Sequence, residues 1–400
     1  MDVQKIRHDF PILNTGIIFL DSAASSLTPD PVLDKMLEFY HEYRANIERG
    51  VHRLSQRASG EYEEARIKVS SFINAKSDQE VIMTKNTSEG INTIASGLKW
   101  RKGDKIVTTS IEHHSNFIVW LRVKETYGVD VEIVKPNKEG TFNLTDFEKA
   151  IDDRTKLVAM THASNVLGAI TPVEEVAKYA HAHGALLLID GAQSVPHMKV
   201  DVRAIDCDFL TFSGHKMCGP TGIGVLYIRE DLLCEVEPLC IGGGAIRDVG
   251  LDHYSLAAGP RRFEAGTPPI AEAIGLGAAT EYLSGIGMDV IREHDVKLIG
   301  KMYEELIKIP KVLVYRPEPR CRVGLLSFIV ERLSPHDVAL ALDVTAKIMV
   351  RSGAHCALPL MTDVIHQPSG TVRASTYLYN TSSEVDTFLQ VVSKLSTSMA

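Results

Sequence analysis

The 400-residue chain contains no apolar run approaching the roughly 18 to 20 residues that cross a bilayer, which excludes a helical membrane span. Its first ten residues, MDVQKIRHDF, lack the apolar stretch of a signal peptide, so a cytoplasmic location is expected. Cysteine is scarce. The six present (Cys207, Cys218, Cys234, Cys240, Cys321 and Cys356) include no C-x-x-C pair, which excludes a disulfide framework and a zinc knuckle and predicts reduced thiols. There is no excess of positive charge either: 43 basic against 51 acidic side chains give a formal charge of -8, which argues against nucleic acid as a partner. Internal repeats and low-complexity linkers are also missing, so any domains should pack closely.

What remains is an ordinary soluble composition, 44% hydrophobic and 24% charged with a mean hydropathy of -0.01, in a chain long enough for one large and one smaller domain. From about residue 80 to 230, strand-like apolar runs alternate with helical patterns: VIMT (81–84), KIVTTS (105–110), KLVAMT (156–161), ALLLID (185–190), FLTFS (209–213) and GVLYI (224–228). Little polar alternation within them predicts strands buried on both faces, hence an α/β fold with a mainly parallel sheet covered by helices. Between two of them, TPVEEVAKYAHAHG offers Thr171 as a helix cap and Gly184 as a stop. Beyond about residue 284 the texture becomes α+β: a long helical stretch (MDVIREHDVKLIGKMYEELIKI), strands VLVY, LLSFIV and IMVR, and a helix from about Ser383. The expected division is a large domain over 17–284 and a small C-terminal domain over 285–400, with residues 1–16 packing against the latter.

Ligands of open parallel sheets bind beyond the carboxyl ends of the strands, and polar residues gather there. Asn86, Thr87, Ser88, Glu89 and Gly90 open a helix and could receive a phosphate, although Thr or Ser at such a place is ordinarily a cap. The next strands lead to Glu112-His113-His114-Ser115-Asn116 and to Thr161-His162-Ala163-Ser164-Asn165. Adjacent histidines point in different directions and no carboxylate or Cys stands at ligand spacing, so no metal is expected; an imidazole stacked on a planar cofactor is the better use of His113. Asp190, ending a buried strand, needs a positive partner or donors; a protonated pyridine nitrogen is one candidate and a helix-capping role the other. Lys216, in Ser213-Gly214-His215-Lys216 before GPTGIG, lies in an apolar turn that would favour the neutral amine an imine requires. The order of Gly and Lys is not that of a P-loop. Of the cysteines, Cys356 beside His355 in a loop is the best nucleophile candidate, an incidental thiol being the alternative.

Taken in order, NTSEGIN, EHHSN, SNVLG, DGAQ, SGHK, GPTGIG, RFEAGTP, RSGAHC and VRAS resemble the class V aminotransferase superfamily, and within it the cysteine desulfurases of the SUF type and the related selenocysteine lyases. The likeness runs from FLDSAASS near residue 19 to YNTSSEVD near 386. It implies the fold type I architecture of pyridoxal-phosphate enzymes, with a seven-stranded sheet in the large domain and a homodimer whose sites lie at the interface. It also implies roles. Lys216 matches the lysine that carries pyridoxal 5'-phosphate as a Schiff base, Asp190 the partner of the pyridine nitrogen, Gln193 the donor to the ring hydroxyl, and His113 the imidazole over the ring. Thr87, Ser88, Ser213 and His215 match phosphate ligands, and Thr267 the ligand from the other subunit. Asn165 and Arg373 match substrate-carboxylate ligands, and Cys356 the cysteine that accepts sulfur from L-cysteine and passes it to an acceptor or scaffold protein.

Three positions depart from the usual pattern of that family. Ser88 stands where Thr is common, Glu48 precedes Arg49-Gly50-Val51-His52 where a His is frequent, and Pro269 follows Thr267-Pro268 where many relatives have Asn. A selenocysteine lyase is the close alternative, because it shares the cofactor residues without strictly needing Cys356.

Overall fold

The structure, a computed structural model, describes residues 1–137, 140–315 and 321–397. Its center is a seven-stranded sheet in the order Val81–Thr84, Gly224–Ile228, Phe209–Ser213, Leu186–Asp190, Thr155–Thr161, Lys105–Thr109, Asp130–Val134. Gly224–Ile228 runs antiparallel to both its neighbors, and every other pairing is parallel. The six apolar runs all become strands of this sheet, and most of their residues are buried because helices cover both faces. The seventh strand, Asp130–Val134, is an edge strand with only Val134 buried.

The helix after Thr155–Thr161 spans Val173–Ala182 and starts behind Pro172 with no side-chain cap. Thr171, expected as that cap, instead donates its hydroxyl to the Thr161 carbonyl and closes the end of the strand. Gly184, at φ +70°, lies two residues beyond the helix.

The C-terminal part forms a four-stranded antiparallel sheet in the order Val312–Val314, Leu325–Val330, Thr371–Ser375, Arg351–Gly353. Helices Met288–Leu306, Pro335–Ala346 and Ser382–Thr397 accompany it. The run IMVR serves two sheets: Ile348–Met349 pairs in parallel with Ile18–Phe19, and Arg351 begins the strand beside Thr371–Ser375. This core gathers Leu298, Ile299, Met302, Phe328, Val372 and Phe388 together with Leu20 from the other end of the chain. Residues 1–16 reach both parts. Phe10 sits edge-on to Tyr379 and joins the large apolar core with Ile6 and Leu13, while Arg7 pairs with Glu384 at 2.9 Å. A buried pair, His197 Nδ1 to Asp295 Oδ2 at 2.7 Å, also ties the two parts together. Among the described residues, no helix is long and apolar enough to cross a membrane.

Candidate active site

The carboxyl ends of the central strands open into a cavity of about 230 Å³. It lies where the sheet's topology puts such sites, between the large part and the strands of the small one. Lys216 enters it from a 3-10 turn, Gly214–Lys216, directly after Phe209–Ser213. The following strand passes so close that a Cβ on Gly224 would lie 2.7 Å from the Asn86 Cα, so the glycine lets this strand press against the mouth of the next helix.

That helix, Thr87–Gly97, is capped by Asn86, whose Oδ1 accepts from the Glu89 N–H at 3.0 Å. The capping duty therefore falls to Asn86, ahead of both Thr87 and Ser88, which leaves their hydroxyls for other work. Thr87 Oγ1 and Ser213 Oγ are 2.7 Å apart, the Thr87 N–H also donates to Ser213 Oγ at 2.9 Å, and Ser88 Oγ meets Ser115 Oγ at 2.6 Å. With His215 these hydroxyls line one end of the cavity, at the positive end of a helix dipole.

Asp190 ends its strand at the cavity floor and accepts from the Ala192 N–H at 2.9 Å. Burial raises its pKa, and the Ala192 N–H and the Lys216 charge pull it back down. Burial brings the Lys216 amine down to about 8; Asp190 opposes the shift, and Arg373 and Arg351 reinforce it. His113 also lines the cavity, with Nδ1 accepting from the Ser115 N–H, and burial followed by the Lys216 charge lowers its pKa to about 3. His215 falls to about 4 for the same two reasons. Both imidazoles are thus neutral at pH 7.

Gln193 donates Nε2 to the Ala23 carbonyl at 2.7 Å, and its Oε1 is buried without a partner among the described residues. Arg373, 1% exposed, gives Nη1 to the Asn165 carbonyl at 2.9 Å and Nη2 to Asp21 at 3.0 Å, leaving Nε without a partner among the described residues. Burial lowers its pKa to about 10 against the pull of Asp21. Buried polar atoms without partners are costly. Their grouping with a lysine of lowered pKa and a hydroxyl-lined helix mouth fits a phosphorylated, planar, carbonyl-bearing cofactor.

Cys356 does not line the cavity. It stands behind Arg351, which does, with Arg351 Nη2 at 3.6 Å from Sγ. Its loop is bound to the cavity wall through Asn165, whose Nδ2 donates to the His355 carbonyl at 2.7 Å. The His355 ring turns to the Thr371 carbonyl and hydroxyl, and burial lowers its pKa to about 3. Thr267 lies elsewhere, in a second pocket of about 180 Å³ with Glu48, Arg49 and Glu264. Of the three departures from the family pattern, Ser88 lines the main cavity, Glu48 lines this second pocket and pairs with Arg261 at 3.3 Å, and Pro269 sits just ahead of the helix Ile270–Ile286. All six cysteines are unpaired.

Arg351 lines the cavity and Asp21 supports Arg373, roles that no local pattern signals, although both residues stand inside segments that resemble the family, FLDSAASS and RSGAHC. Asp21 finds its partner Arg373 only across 352 positions of sequence.

Residues 18–388 match the family described as aminotransferase class-V. A relative from Pyrococcus abyssi, described as a probable cysteine desulfurase, is 49% identical over 396 residues, covering 98% of this chain and 97% of its own length. The apo cysteine desulfurase of Thermococcus onnurineus NA1 superposes with a TM-score of 0.95 at 48% identity over 99% of this chain and 98% of that one. The cysteine desulfurase CsdA of Escherichia coli, in an S-sulfonic acid form, gives 0.92 at 33% identity over 98% of each chain. This chain belongs to the aminotransferase class-V family, among its cysteine desulfurases.

Proposed function

We propose that the chain takes sulfur from L-cysteine, releasing L-alanine and leaving a persulfide on Cys356, with pyridoxal 5'-phosphate held at Lys216. The observation that carries this is one cavity in which a buried lysine of lowered pKa stands with Asp190 and Arg373, with Cys356 one side chain beyond its rim. When bound, the cofactor supplies an electron-accepting ring conjugated to the α carbon of the amino acid.

The residues of the chain do the rest. Asp190 would meet the pyridine nitrogen, His113 would cover the ring and Gln193 would meet the ring hydroxyl. Thr87, Ser88, Ser213 and His215 would hold the phosphate, with Thr267 contributed by the second subunit of a homodimer. Arg373 orients the substrate carboxylate; with Nη1 and Nη2 each partly engaged, the Nε edge is the face left for a bidentate contact. Asn165, tied to the His355 carbonyl, completes that wall. Lys216 in its neutral form takes the α proton. The Cys356 sulfur, as thiolate, then forms a bond to the substrate sulfur as the Cβ–S bond breaks and leaves its electron pair on carbon; Cβ takes up a proton, and Lys216 returns a proton to the α carbon to give alanine. Arg351 points Nη2 at the Cys356 sulfur from 3.6 Å, a contact that orients the side chain.

An acceptor or scaffold protein would relieve Cys356 of its sulfur for iron–sulfur cluster or other sulfur-cofactor assembly, in the cytoplasm. A selenocysteine lyase is favored by one observation, that Cys356 stands outside the cavity lining. The Cys356→Ala variant separates the two. Lost turnover of L-cysteine with retained turnover of selenocysteine supports the desulfurase, and unchanged turnover of L-cysteine defeats it.

A further inference from the structure

Of the two neighboring histidines, His113 faces the cavity and His114 does not. His114 instead takes hold of the Cys356 loop twice. Its backbone N–H donates to the Cys356 carbonyl at 2.7 Å, and its ring Nε2 accepts from the Leu358 N–H at 3.0 Å. One residue therefore grips the loop at Cys356 itself and again two residues beyond it. The ring contact has only one sense, because a backbone N–H can only donate, so Nε2 must carry a lone pair. Burial lowers the His114 pKa, which keeps that lone pair available at neutral pH.

The loop needs such a restraint. His355 and Cys356 both have positive φ, +50° and +57°, in a region that residues with a side chain rarely occupy. Two consecutive residues stay there only where their surroundings over-determine the backbone. Other restraints on the loop are Asn165 Nδ2 on the His355 carbonyl, Arg351 Nη2 near Cys356 Sγ, the His355 ring on Thr371 and the Ala357 N–H on the Ala354 carbonyl. His114 adds its two contacts at Cys356 and Leu358 and is joined directly to His113, which lines the cavity.

We infer that His114 is a positioning residue that clamps the Cys356 loop to the strand end bearing His113, so that the thiol is presented to the substrate bound in the cavity. This rests on the reading of Cys356 as the sulfur acceptor.

The test compares His114→Phe, a ring without an acceptor, with His114→Gln, whose amide oxygen can reach the place of Nε2, in the cofactor-loaded full-length protein. His114→Phe is expected to lower kcat for L-cysteine by about tenfold or more with little change in KM, because misplacing one reacting atom acts after substrate is bound. It should leave the cofactor absorbance spectrum unchanged, while amide exchange at Leu358 and alkylation of Cys356, both followed by mass spectrometry, accelerate. His114→Gln should restore most of the rate. Wild-type kcat and Leu358 exchange in His114→Phe would overturn the inference, as would an equal loss in both variants, which would point to packing alone. Cys356→Ala, assayed alongside, separates the two levels: if it keeps turnover, the sulfur-acceptor reading fails, and if it loses turnover while His114→Phe does not, only the clamp fails.

Discussion

The protonation of Lys216 can be followed directly in the cofactor-free protein. Burial takes its amine down to about 8 from an ordinary 10.5. At pH 7 that raises the neutral fraction about 300-fold, to roughly one molecule in ten, which makes the amine a usable nucleophile and base. The folded amine releases its proton near 8 while an unfolded lysine holds it to about 10.5, so the unfolded chain binds more protons across that window. Stability of the cofactor-free protein therefore rises with pH between these values, by at most about 3 kcal/mol, and Lys216→Met flattens the rise. Competitive acetylation from pH 5 to 11, quantified on the peptide containing Lys216, measures the midpoint without relying on reversible unfolding. Asp190 holds the amine up, so Asp190→Asn should move the midpoint below that of the wild type; Arg351 pushes it down, so Arg351→Gln should move it up. A Lys216 midpoint near 10.5, together with indifference to Asp190, would refute the electrostatic argument.

Arg373→Lys keeps a charge but loses the planar fork, and the KM for L-cysteine should rise about 10- to 100-fold, the equivalent of losing one charge-assisted contact; an unchanged KM would remove Arg373 from the carboxylate site. The loop before Thr267 hangs on Glu264, which meets Arg66 bidentately at 2.8 and 2.9 Å and also accepts from the Met83 N–H and the Tyr62 hydroxyl. Glu264→Ala removes the buried partner of Arg66, itself 1% exposed, and leaves it only the partly exposed Glu63 at 3.2 Å as a counter-charge; this should cost about 3 kcal/mol in denaturant unfolding; a loss below about 1 kcal/mol would show that the pair adds little.

The sequence made the large sheet legible for a simple reason: strands covered on both faces are apolar throughout, and VIMT, ALLLID and FLTFS could not be otherwise. Asp130–Val134 was missed because an edge strand with one buried residue carries no such pattern. IMVR read as one strand, since nothing local tells that Ile348 and Met349 pair with residues 18 and 19 while Arg351 turns to another sheet. At the site, the polar residues closing each strand were visible because they interrupt apolar runs. Which of them cap and which stay available was not: Asn86 relieves Thr87 and Ser88, and Thr171 turns back to its own strand. Pairings such as Asp21 with Arg373, or His114 with Leu358, depend on contacts between distant segments, to which local periodicity is blind.

The sulfur's destination tests the central claim most directly. Cofactor-loaded protein is incubated with L-cysteine without any acceptor, quenched, and its persulfides mapped by mass spectrometry over all six cysteines. Persulfide on Cys356, formed together with alanine, is the predicted result. Alanine formed with the extra sulfur on Cys234, Cys240 or Cys321, the exposed thiols, and none on Cys356 would contradict it.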